Sequence, residues 1–243
     1  VLTFSEMIVD KAIIHNEIKT ISKHFLEKNK SGIQIAGSDP QEIKRTINIL
    51  NQIDIIKHVN FNLGCPSSRV QENMLGLALT QNYDLVKKCL FELINYKHEV
   101  SVKCRLGLGM NEDKNYIFSY LNLFKDIGIK KVFIHCRNGV LNLDTKKNRT
   151  IPQINYELFL ECSKKFPEME LIPNGEVNDL ETFNSFKSKN INKYMIGRQF
   201  AKDALFLEKL KLEKINDKTS LVLDSIKELD NYKSVSYTHL RAH

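Results

Sequence analysis

No run of eighteen apolar residues occurs in the 243-residue chain, so the sequence offers no membrane-spanning helix. The opening stretch, VLTFSEMIVDKAIIHNE, lacks the basic n-region and apolar h-region of a secretory signal. It also lacks an initiator Met, and the chain reads as a fragment. Cysteine is scarce: five residues, at 65, 89, 104, 136 and 162, with no C-x-x-C pair. An odd count without close pairs excludes a disulfide framework and a cysteine zinc site. It suits a reducing compartment, and the expected location is cytoplasmic. No second His or carboxylate lies at ligand spacing from His135, so no metal is expected. A complete G-x-G-x-x-G turn is missing as well; GLGM at 107–110 lacks the third glycine.

What is present is a 42% apolar fraction, enough for a sizeable core, with 27% charged residues and a net charge of +7. That excess of positive charge suits either an ordinary solvated surface or, as the sharper reading, a nucleic-acid partner. Nothing demands an obligate protein partner. Short β-rich runs alternate with helical patterns. The strand candidates are Thr3–Val9, Gly32–Gly37, His58–Gly64, Val100–Gly107, Lys130–Arg137, Met169–Glu176 and Lys193–Arg198. Between them, Leu85, Val86, Cys89, Leu90 and Leu93 form one helical stripe over 82–97, and Ile117, Tyr120, Leu121 and Phe124 another over 113–127. Gly128 is placed to end the second helix. SDPQEIKR starts a further one, with Asp39 as N-cap, Pro40 in the first turn and Glu42 three past the cap.

Such alternation predicts a parallel α/β sheet, either doubly wound or closed as a (β/α)8 TIM-type barrel. The strand ends favour the barrel, because polar or reactive groups recur there: Gln34, Asn62 with Cys65, Lys103 with Arg105, His135 with Arg137, Asn174 and Arg198. In a barrel these ends converge on one mouth. Seven runs are strands 2 to 8, with the first strand missing. The expected organisation is a barrel over 1–200, a truncated helical segment over 201–233, and a tail, 234–243, of foreign style.

Chemically, NG at 174–175 and GR at 197–198 suit a phosphate site beside the last two strands. Lys103 can hold an anionic ring, such as a reduced flavin, or form a Schiff base. Gln34 can bond a heterocycle edge. His135 can act as base, metal ligand or phosphate contact. Cys89 and Cys162 sit on apolar helix stripes, and strand alternation turns Cys104 and Cys136 away from Lys103 and His135. Cys65, between Gly64 and Pro66 just past a strand, stands apart. A free thiol is ordinarily protonated at neutral pH, so it can be a general acid or an activatable nucleophile.

SEMIVDKAIIH, IQIAGSDP, NFNLGCPSSRVQENMLGLALT, VSVKCRLGLG, FIHCRNGVLNLDTKKNRTIPQINYE, IPNGEV and MIGR occur in an order and spacing that resembles the tRNA-dihydrouridine synthases, most closely their A-type branch. The resemblance runs over about residues 3–210, with NLGCPSSRVQ and KKNRTIP its most specific motifs. It implies an FMN-binding barrel followed by a helical tRNA-gripping domain, NADPH as reductant, and reduction of a tRNA uridine. It implies Cys65 as the acid that protonates C5 of the uracil, and Asn62 as a contact to the target uridine. Gln34, Lys103 and His135 match FMN contacts. Asn174, Gly175, Glu176, Gly197 and Arg198 match the phosphate-side loops. Lys146 and Arg149 match tRNA contacts, with the base flipped into the mouth. Three departures stand out: no first strand with its Pro-Met turn, Glu176 where the branch has Gly or Asp, and a short helical segment. They predict poor FMN retention and weak tRNA binding by this chain. The competing expectations are an FMN barrel acting on a free pyrimidine and a non-catalytic RNA-binding barrel.

Overall fold

A computed structural model describes residues 2–15, 21 and 31–203. Most of the expected helical segment 201–233 and all of the tail 234–243 lie outside the described residues. The chain divides into two compact units, Val1–Gly175 and Glu176–His243.

In the first unit, six strands alternate with helices. They are β1 (Thr3–Val9), β2 (Ser31–Ala36), β3 (His58–Leu63), β4 (Glu99–Arg105), β5 (Lys131–His135) and β6 (Glu170–Asn174). All pair in parallel, and the spatial order is β1-β2-β3-β4-β5-β6. A doubly wound sheet reverses its strand order at a switch point. This one never reverses, which is the winding of a TIM-type barrel. Its arc is not closed among the described residues. The helices are α1 (Asp10–His15), α2 (Pro40–Leu50), α3 (Ser68–Glu72), α4 (Tyr83–Leu93), α5 (Lys114–Ile127) and α6 (Tyr156–Lys165), then α7 (Leu180–Lys187) and α8 (Arg198–Lys202) in the second unit. None of the described helices is long and apolar enough to cross a membrane.

Local signals set the helices. Asp39 caps α2 by accepting from the Gln41 N–H at 2.8 Å, while Ile43, Ile47 and Leu50 bury its inner stripe. Glu42 does not close a capping box; its carboxylate lies 3.8 Å from Lys11 Nζ. Val86, Cys89, Leu90 and Leu93 bury α4, with Leu85 only half-buried. Asp113 caps α5, and Gly128, at φ +95°, ends it.

The sheet has two unlike faces. Ile33, Ile35, Val59, Phe61, Leu63, Val102, Cys104, Val132 and Ile134 are buried on one face. Each fully buried aliphatic side chain there is worth about 1.5–3 kcal/mol. The strand register puts the alternate residues on the other face: Gln34 beside Asn60, Asn60 beside Ser101, Asn62 beside Lys103, Arg105 beside His135, and His135 beside Asn174. An aromatic plug floors this polar face. Phe4 meets His58 and Phe133 edge-on, at centroid distances of 4.9 and 5.4 Å. Gly32 makes room, since a Cβ there would sit 2.5 Å from the Phe4 ring.

The seventh expected strand, Lys193–Arg198, does not form. Met195 makes a lone bridge. Tyr194 turns aside to stack on Phe183 and Phe186 of α7, at 4.9 and 5.7 Å, and Gly197 leads the chain into α8.

Candidate active site

The polar face is wired from floor to rim. His58 Nε2 lies 2.6 Å from Ser101 Oγ, and Asn60 Nδ2 donates to the same hydroxyl at 2.8 Å. Gln34 Nε2 donates to Asn60 Oδ1 at 2.8 Å, and Asn62 Nδ2 donates to Gln34 Oε1 at 2.9 Å. Asn62 Oδ1 then accepts the backbone N–H groups of Gly64 and Cys65, each at 3.0 Å. Burial depresses the His58 imidazole to about 4, partly opposed by Glu99, whose Oε2 is 3.1 Å from Nδ1. His58, Asn60 and Ser101 were missed when only strand ends were read. Period-two alternation from Asn62 and Lys103 would have found them.

This network holds the turn that carries Cys65. Its carbonyl accepts from the Leu77 N–H at 3.1 Å, and its side chain packs against Ala36, Val70 and Leu75 with Met7 and Val9. The thiol points to Ser67 Oγ at 3.7 Å. Of the five cysteines it alone is half-buried; the rest are buried. Burial pushes the thiols of Cys89, Cys104 and Cys162 up to about 12 and raises that of Cys136 as well.

Lys103 is the register partner of Asn62. It is half-buried, and burial, aided by the Arg105 charge, lowers its ammonium to about 8. Among the described residues no carboxylate forms an ion pair with it. His135 and Asn174 end adjoining strands as register partners. Gly175 follows at φ +108°, where an L side chain is strained. A Cβ there would lie 3.1 Å from His135 Nε2. An unpaired cation, two amides and a backbone cradle that a Cβ would fill form a donor set suited to an anionic heterocycle and its phosphate.

Two residues of the expected mouth serve instead as clamps. Arg105 is buried and donates from Nε to Gly64 O at 2.9 Å, and from Nη1 to Asn138 O at 2.9 Å and Asn148 O at 3.3 Å. Arg137, also buried, donates from Nη1 to the carbonyls of Thr150 and Pro152. A guanidinium satisfied by carbonyls needs no carboxylate. Asn148 is fully buried and pins its loop through Val140 and Leu143. Its anchoring leaves Lys146 and Arg149, on either side, exposed.

The remaining predicted residues belong to the second unit. Glu176 is left-handed at φ +52°. Gly197, at φ −118°, caps the five-residue α8, a Cβ on it would meet nothing within 4 Å, and Arg198 is exposed.

Residues 1–238 match the dihydrouridine synthase (Dus) family profile. Relatives named tRNA-dihydrouridine(20/20a) synthase include one from Pseudomonas putida KT2440, 26% identical over 82% of this chain and 59% of that protein. One from Pasteurella multocida Pm70 is 30% identical over 82% and 60%, and one from Yersinia pestis 28% over 94% and 66%. The chain thus spans about three-fifths of the length of the first of these relatives.

Proposed function

Because the chain belongs to the dihydrouridine synthase family, we propose that it reduces a uridine of tRNA to 5,6-dihydrouridine, with FMN as cofactor and NADPH as reductant. The observation that carries this proposal is the single half-exposed thiol, held by Asn62 on the strand next to Lys103.

Gln34, Lys103, His135, Asn174 and Gly175, all of the first unit, would hold FMN. When bound, FMN supplies a hydride for C6 of the uracil. Cys65 supplies the matching proton: its S–H bond breaks as a C–H bond forms at C5. Asn62 spends both oxygen lone pairs on Gly64 and Cys65, and one amide hydrogen on Gln34. It therefore meets the base only as a donor, to a uracil carbonyl. Lys146 and Arg149 take backbone phosphates.

The test is Cys65→Ala in a chain loaded with FMN and supplied with tRNA and NADPH. Dihydrouridine formation, read by nucleoside mass spectrometry, should fall at least 100-fold, in line with the loss of a general acid. NADPH-driven bleaching of the flavin should persist. Full tRNA reduction by the variant would refute the acid role.

A further inference from the structure

We propose that the cleft between α3 and the segment 141–145 is a second base pocket, which takes a guanine of the RNA other than the nucleotide being reduced. The cleft measures about 640 Å³ and lies outside the polar face of the sheet. That volume falls in the range of small-ligand sites. Among the described side chains, its walls carry the amides of Gln71, Gln81 and Asn142 and the carboxylates of Glu72 and Asp144, with no lysine or arginine. Such walls suit a neutral heterocycle that donates hydrogen bonds. Among the bases, guanine offers two parallel N–H donors on one edge, matching the two oxygens of a carboxylate as a guanidinium does. Asp144 Oδ1 already accepts from the Lys146 and Lys147 N–H groups at 2.7 and 3.3 Å, so Glu72 is the better-placed acceptor.

Met74 supplies the stacking surface. It is 44% exposed and held at φ +53°, a backbone conformation rare for methionine. Its polarizable thioether suits a ring face. Gln71 links the pocket to the thiol. Its Nε2 donates to Pro66 O at 2.7 Å, next to Cys65, and its Oε1 accepts the Asn142 N–H at 3.0 Å. A base seated here therefore touches the strut that braces the catalytic turn.

That the base comes from RNA rests on the proposed function; the pocket itself does not need turnover to be tested. The chain carrying ¹³C-methyl methionine is titrated with GMP, AMP, CMP, UMP and inorganic phosphate, and the Met74 methyl resonance is assigned through Met74→Leu. GMP should shift this resonance saturably and at least 5-fold more tightly than AMP, while inorganic phosphate leaves it in place. Thr145→Trp should fill the cleft and abolish the shift, and Glu72→Gln should remove the preference for GMP. A silent Met74, equal response to AMP, or a shift untouched by both variants would overturn the pocket. GMP binding without tRNA reduction would sink the proposed function alone, and tRNA reduction with a silent Met74 would sink the pocket alone.

Discussion

Burial separates the five thiols more sharply than sequence position does. Cys89, Cys104, Cys136 and Cys162 are packed away, and desolvation keeps them protonated far above neutral pH. Iodoacetamide on the folded chain at pH 8 should label Cys65 at least ten times faster than any other cysteine, as read by peptide mass mapping; comparable labelling elsewhere would contradict the packing. A second residue-level consequence concerns Asp10. It is 1% exposed, its Oδ1 accepts from the Lys11 N–H at 2.7 Å, and its buried Oδ2 makes no hydrogen bond. Burial raises the carboxyl from 3.8 to about 6. The folded state thus holds this proton more tightly than the unfolded state does. Its stabilisation is complete below about pH 4 and is lost as pH rises to about 6, by roughly 3 kcal/mol. Asp10→Asn removes the charge. It should stabilise the chain by roughly 1–3 kcal/mol at pH 8 and leave it unchanged near pH 3.5, with urea midpoints at the two pH values as the check.

Two loops meet on one side chain at the level of elements. Arg105, at the end of β4, grips the carbonyl before Cys65 and two points of the loop after β5, the carbonyls of Asn138 and the buried Asn148. Lysine has one nitrogen and cannot make this fork. Arg105→Lys should cost about 2–4 kcal/mol in urea unfolding, because buried carbonyls lose charged donors. A cost under about 0.5 kcal/mol would mean that the loops hold themselves. None of this clamp was legible in the sequence, since long-range bonds from a guanidinium to backbone carbonyls leave no local pattern. The strands were legible for the opposite reason: period-two alternation and flanking Gly, Pro and Asn are local, and six of the seven expected runs form, shifted by a residue or two. Lys193–Arg198 carried the same local pattern but lost to the packing of Tyr194 on α7. Site legibility divides along the same line. Gln34, Asn62, Lys103 and His135 follow from alternation, whereas the donor-only role of Asn62 needed the turn geometry.

At the scale of the whole chain, the sequential winding of the sheet gathers uncharged amides, one lysine and one thiol at one rim of the first unit. Net charge of +7 gives a long-range attraction for RNA that salt screens. Specific phosphate contacts behave differently: each one released on binding adds to the slope of log affinity against log salt. Lys146 and Arg149 are exposed while Asn148 between them is anchored, so they present charge from a fixed loop. Ala substitution at either should weaken tRNA binding and reduce that slope by about one. The exposed Lys87 lies 6.0 Å from the Phe91 ring on α4, a helix that contributes no predicted site residue, and it is the control. Lys87→Ala should leave the slope unchanged. Anisotropy titrations of labelled tRNA between roughly 50 and 200 mM salt measure all three. Equal slopes for Lys146→Ala, Arg149→Ala and the unmodified chain would mean that the loop does not touch the RNA, and that the affinity comes from net charge alone.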